Sequence, residues 1–143
     1  MTPSYQYSFS SKLVTKFRKF TKMRIIGMGG SILGTKAIYS FLNSKIKKKV
    51  EFVDNLLPRR NPINDSNLLN LVVSKSGNTL ETISNANILV KKNQKKIFIV
   101  ENNDSYLRVL GNKMRAEVID HNNYIGGRYS VLSEVGMLPA SLL

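Results

Sequence analysis

The chain has 143 residues, 42% of them apolar, with 22 basic residues against 9 acidic, a net charge of +13, and no cysteine. That length suits one domain around a single core, and the apolar share excludes general disorder. Disulfides and thiolate chemistry are excluded with the cysteines. No apolar run approaches the roughly 18 residues needed to span a bilayer, and the opening MTPSYQYSFSSKL has no apolar signal-peptide core.

In chain order, Ser11–Phe20 reads as a short basic amphipathic helix with Leu13, Phe17 and Phe20 on one face. MRIIG (23–27) is a compact strand ending in glycines. Ser31–Leu42 reads as a helix packed on a sheet through Leu33, Ala37 and Phe41, beside Ile38 and Leu42. VEFVD (50–54) is the second strand, and LLPRRNPIND, with two prolines, is a loop. LNLVV (69–73) is the third strand. A long helix follows from Asn78 to Lys92, with Leu80, Ile83, Ala86 and Val90 on one side and Asn78 with Glu81 as an N-cap pair. KIFIV (96–100), a short helix in SYLRVLGNKM, and AEVID (116–120) complete the series. Strands alternate with helices, and each strand is a continuous apolar run. The pattern predicts an α/β, doubly wound, mainly parallel five-stranded sheet covered on both faces.

Ligands in such sheets bind beyond the carboxyl ends of the strands. Two strand-to-helix turns there are unusual. In IIGMGGSILG, Gly27, Gly29 and Gly30 allow close backbone approach and Ser31 opens the helix. The G-x-G-x-x-G spacing of a dinucleotide loop is absent, although Glu51 or Asp54 stands near the place of its ribose ligand, and a purely structural tight turn is equally open. In SKSGNTLET, the hydroxyls of Ser74, Ser76 and Thr79 meet a helix start and Lys75 adds a charge at the rim, which suits a phosphate. A capped turn explains the same residues, and the Walker spacing is missing. A third segment, HNNYIGGRYSVLSEVGMLPAS, uses Gly126 and Gly127 to present Arg128, a cation for a developing anion or for a surface carboxylate.

Together these segments resemble the glucose-6-phosphate isomerase family, specifically its first sugar-isomerase (SIS) domain. The family's G-x-G-G-S, S-K-[ST]-x-x-T-x-E-T and G-G-R-[FY]-S motifs stand in this order at Gly27–Ser31, Ser74–Thr82 and Gly126–Ser130. The likeness runs from about residue 23 to the end of the sequence. It implies a flavodoxin-like, three-layer SIS sandwich. It also implies interconversion of glucose 6-phosphate and fructose 6-phosphate through a cis-enediol, in glycolysis and gluconeogenesis, with no metal or organic cofactor. By the same resemblance, Gly30, Ser31, Ser74, Lys75, Ser76 and Thr79 belong to the sugar-phosphate site and Arg128 steadies the enediolate. Ser76 replaces the more usual threonine and keeps the hydroxyl. A homodimeric full-length protein is a further implication, while the absence of cysteine reads most simply as a reducing, cytoplasmic location.

The family's proton-transfer glutamate, ring-opening histidine and late lysine lie beyond the G-G-R segment. His121 precedes that segment, and Glu81 reads as a helix-start residue. The expectation is therefore a partial chain, inactive alone: a basic helical segment over 1–22 and an SIS domain over 23–143, truncated at its C-terminus, with apolar surface left uncovered around MLPASLL. The alternative is a non-catalytic sugar-phosphate-binding regulatory domain, for which residues 1–22 are too short to add a DNA-reading unit. The lysines, spread over KLVTKFRKF, KIKKK and KKNQKK, read as a solvated basic surface with no specific nucleic-acid partner and no membrane partner.

Overall fold

The computed structural model describes residues 5–56 and 65–143, so most of the expected proline loop lies outside the described residues. The strands are β1 (Lys22–Gly27), β2 (Lys49–Val53), β3 (Leu68–Val73), β4 (Lys95–Glu101) and β5 (Glu117–His121). The helices are α1 (Ser11–Arg18), α2 (Gly30–Leu42), α3 (Leu80–Leu89), α4 (Tyr106–Lys113) and α5 (Glu134–Leu142), with 3-10 turns at Asn43–Lys45 and Gly127–Leu132. Every strand pairing is parallel, in the order β2-β1-β3-β4-β5. This is the doubly wound order whose switch point falls between β1 and β3.

The continuous apolar runs are explained by burial on both faces; β3 is buried at every position. One layer packs Met23, Ile25, Leu71 and Ile99 against Phe17, Phe20, Ile32 and Leu138. The other packs Ile26, Val72 and Phe98 against Ala86, Leu89 and Leu107. Against the apolar reading, one polar row crosses the sheet: Glu51, Arg24, Asn70 and Lys96 are neighbours in register on four adjacent strands. Arg24, Asn70 and Lys96 are all buried.

Four local expectations are corrected. The Leu33, Ala37, Phe41 stripe of α2 does not meet the sheet: Leu33 is 59% and Phe41 87% exposed, and Ile32 and Thr35 are buried instead. Gly30 and Gly34 set that rotation, because a side chain at either would strike Gly127 or Val131. The second long helix is shorter than expected, and its N-cap is Thr79, not Asn78. Asn78 Oδ1 instead accepts the backbone N–H of Tyr106 at the head of α4. Leu80, expected on the inner side of α3, is 69% exposed.

The fourth correction concerns MLPASLL, which is not uncovered surface: it belongs to α5, where Leu138 and Leu142 are fully buried. Pro139 inside α5 has no N–H for the carbonyl of Val135 four residues earlier. The Thr35 hydroxyl of α2 donates to that carbonyl at 3.1 Å, so the missing helical bond is replaced across the interface. At the head of α5 the buried Glu134 carboxylate accepts from the Tyr5 hydroxyl, 2.8 Å to each oxygen, and from the Ser8 backbone N–H. Burial, and then the bond to Glu134, push the Tyr5 phenol well above its ordinary pKa.

Candidate functional site

Three segments meet at the carboxyl edge of the sheet around the β1/β3 switch point. β1 and β3 end level, Gly27 beside Val73, and a Cβ on Gly27 would lie 2.9 Å from the Val73 carbonyl. Only glycine lets the two turns leave side by side. Gly29 then takes a positive φ of 52° as the N-cap of α2 and offers no side-chain cap. Gly30 and Ser31 form the first turn of the helix.

The β3–α3 turn is built from hydroxyls. Ser74, 2% exposed, has its Oγ 3.1 Å from Thr79 Oγ1 across the turn. Ser76 is exposed, and its Oγ accepts the Asn78 N–H at 3.3 Å. Because Thr79 faces Ser74, it makes no side-chain cap on α3. The first N–H groups of a helix have no intrahelical acceptor, so the head of α3 is an open set of donors with the positive end of the helix dipole behind it. Gly77, at φ +67°, lies against Ser105 so tightly that a Cβ would come within 2.1 Å of its Oγ. The Leu107 N–H donates to Gly77 O, which fixes the turn on the start of α4.

Gly126–Arg128 lies directly on the first turn of α2. A Cβ on Gly30 would be 2.2 Å from the Gly127 carbonyl oxygen and 2.8 Å from the Arg128 nitrogen. Ser130, fully buried, donates to Gly127 O at 2.7 Å and reaches Gly30 O at 3.4 Å. Arg128 is exposed and makes no hydrogen bond or ion pair among the described residues.

Lys75 points along the edge. Its Nζ donates to Asn123 O at 3.0 Å and pairs with Glu101 at 3.4 Å, tying the hydroxyl turn to the segment after β5. Beside it a cavity of about 380 Å³ is lined in part by Glu101, Asn103, His121 and Tyr124. His121 itself is 3% exposed, with Nδ1 2.8 Å from Asn122 O.

Sequence reasoning did not single out Ser105 and Ser130 as fixing the geometry of these turns. Ser130 was within sight, as the serine of the G-G-R-Y-S motif. Ser105, whose buried Oγ has no partner among the described residues, left no signal beyond preceding a helix.

The family described as phosphoglucose isomerase matches residues 10–143. Glucose-6-phosphate isomerase of Borreliella afzelii is 35% identical over 144 aligned positions, covering 87% of this chain and 27% of its own. The same enzyme of Methanocaldococcus jannaschii is 35% identical, with 80% and 31% covered. The chain thus spans about a quarter to a third of these relatives. Among solved structures, a hypothetical protein from Thermus thermophilus superposes with a TM-score of 0.78 at 23% identity, covering 92% of this chain and 36% of that one. Tagatose-6-phosphate ketose/aldose isomerase from Escherichia coli gives 0.61 at 19%, with 91% and 39% covered, and shares the fold. On the family match along nearly its whole length, the chain belongs to the phosphoglucose isomerase family.

Proposed function

We propose that this chain supplies the phosphate-binding and enediolate-stabilising half of an aldose–ketose isomerase acting on glucose 6-phosphate and fructose 6-phosphate. The observation that carries the reading is the pairing of the Ser74 and Thr79 hydroxyls beside the uncapped head of α3. The substrate phosphate sits there, held by neutral donors, Ser76 and the backbone N–H groups. Gly30 and Ser31 supply the neighbouring backbone. Lys75 acts through Glu101 and Asn123 to hold the turn, and its charge stays at the rim.

Holding the phosphate fixes the reacting carbons at the other end of the sugar. Once the ring is open, a base moves a proton between C1 and C2 and a negative charge grows on the enediolate oxygen. Arg128, exposed directly after the Gly126–Gly127 pair, meets that charge. One preorganised donor of this kind contributes about 3–4 kcal/mol to lowering such a barrier. Gluconeogenic as well as glycolytic use, a cytoplasmic location and a homodimeric full-length enzyme belong to the same proposal.

Titrating glucose 6-phosphate and glucose into the chain, followed by amide NMR, tests the site. Saturable binding of the phosphate ester alone, with shifts at Ser74–Thr79, is expected. Equal binding of plain glucose would remove the assignment.

A further inference from the structure

The opposite, amino edge of the sheet holds a cavity of about 490 Å³ between α1, the turn before β4 and the turn before β5. Three segments far apart in sequence bring their cations to it: Lys16, then Lys92, Lys95 and Lys96, then Lys113 and Arg115. One carboxylate, Glu117, lines it and is taken up by Lys16. Lys92, Lys95, Lys113 and Arg115 have no ion-pair partner among the described residues.

Two features separate this cavity from an ordinary lysine-rich surface. The first is Lys96, at one end of the polar row across the sheet. At the other end the buried Arg24 has its acid, Glu51, at 2.7 Å. Lys96, 4% exposed, has none. Its amino group donates to the carbonyls of Lys92, at 2.8 Å, and Met114, at 3.5 Å. An ammonium has three donors, so one is left over beside a cavity full of like charge. A buried cation without a counter-charge is unfavourable, and burial, with Lys95 adding to it, holds the Lys96 amine below its usual pKa. The second feature is Arg115. It closes α4 with φ +54°, the only positive φ at a non-glycine among the described residues. Glycine is the relaxed choice at such a position; here it carries a guanidinium at the cavity.

We propose that the cavity is an oligophosphate site, where a compact anion of three or more charges supplies the counter-charge missing from Lys96 and is gripped by Lys92, Lys95, Lys113 and Arg115. The volume suits a small ligand, and phosphate oxygens match both the guanidinium fork and the ammonium groups. A second cation-lined cavity, of about 300 Å³, draws on Arg18, Lys19, Lys45, Lys47 and Lys48. Its cations come from two consecutive runs; they include Lys48, also buried and without an acid among the described residues, but no strained backbone brings a guanidinium to that wall. β4, at about 3.3 Å per residue, separates the oligophosphate site from the hydroxyl turn by about 20 Å, so the two fill independently.

Sodium triphosphate titrated calorimetrically into the 143-residue chain, at fixed low ionic strength, tests this. One saturable site is expected. Lys95→Gln with Arg115→Gln should weaken it up to about tenfold, the sum of two exposed charge pairs. The charge-matched pair Lys45→Gln with Lys47→Gln should change it by less than about twofold. Glu117→Gln should tighten binding, a gain that misfolding cannot mimic. Magnesium-free ATP separates the sources: equal affinity assigns the free oligophosphate chain, and tighter binding with the same Lys95 and Arg115 dependence assigns a nucleotide. Equal losses in the two double variants, or displacement by glucose 6-phosphate, would overturn the proposal. So would a DNA duplex that outcompetes triphosphate through the same residues, which would make the edge a nucleic-acid surface.

Discussion

The two edges of one sheet offer an anion opposite kinds of surroundings. At the carboxyl edge, the turns around the β1/β3 switch point are made of glycines, hydroxyls and open backbone N–H groups, with Arg128 as a cation unpaired among the described residues. At the amino edge, charge crowds into a cavity with one paired carboxylate. A charge count would place the phosphate site at the amino edge. The proposed function puts the substrate at the other, on the reasoning that neutral donors held in a turn can bind one phosphate while leaving the field free to act on charge that appears later. Net charge therefore favours anions in general, and the two proposals differ in which turn geometry each anion would meet.

The strongest challenge to this division is a catalytic assay. The chain alone is expected to bind sugar phosphate and to turn it over only at background. Seven of its nine acidic residues are engaged: six in ion pairs and Glu134 by Tyr5 and Ser8. Of the other two, Glu81 is in the first turn of α3, where a carboxylate complements the helix dipole. Asp104 lies in the β4–α4 turn. A missing general base lowers rate by about 10²–10⁴. Isomerisation of fructose 6-phosphate, assayed on material free of host enzyme, is the check. A turnover near 1–10³ per second, roughly the ordinary enzyme range, would mean that a carboxylate here serves as base.

Arg128→Ala comes next in size. In a chimaera where residues 10–143 replace the matching segment of a full-length relative, kcat should fall about 10²–10³-fold, with little change in KM. A raised KM at constant kcat would assign Arg128 to ground-state phosphate binding, which would make the carboxyl edge another charge-based site.

Much of this was legible in the sequence, and the failures have physical causes. All five strands stand within a residue or so of their expected ends, because strands buried on both faces must be apolar throughout. The glycine and hydroxyl turns were legible since few residue types permit such close contacts. The face of α2 was not. Leu33, Ala37 and Phe41 do share one helical face, but periodicity gives a stripe without its direction, and the contacts of Gly30 and Gly34 turn it outward. Helix α5 was hidden because Pro139 argues against a helix, and the hydroxyl that makes it tolerable is 104 positions earlier, at Thr35. The gathering of KLVTKF, KKNQKK and the end of α4 at one cavity was equally invisible, since it depends on strand order.

Two stability measurements sharpen the account of the carboxyl edge. Gly30→Ala drives a methyl group to 2.2 Å from the Gly127 carbonyl oxygen, a backbone atom with no side-chain freedom to move aside. Overpacking of this kind costs about 2–3 kcal/mol, visible in urea unfolding, and should also displace Arg128. Thr35→Val keeps the shape but leaves the Val135 carbonyl without a donor inside α5. A buried unsatisfied group costs about 1–3 kcal/mol. An unchanged midpoint for Thr35→Val would show that the proline gap in α5 is closed by something other than this bond.

The smallest effect separates the two edges most cleanly. Arg115 holds a left-handed conformation, φ +54°, that glycine adopts without strain. Arg115→Gly should therefore stabilise the fold by about 1 kcal/mol, raising the melting temperature by about 3 °C. The same change removes a guanidinium from the amino-edge cavity and should weaken triphosphate binding. Glucose 6-phosphate binding at the hydroxyl turn should be untouched, because no part of that turn contacts Arg115 among the described residues. A variant that is more stable yet binds one anion less well cannot be explained by damage to the fold. If Arg115→Gly gains stability and binds triphosphate as before, the residue is a poor helix cap and nothing more. The amino edge would then be solvated charge.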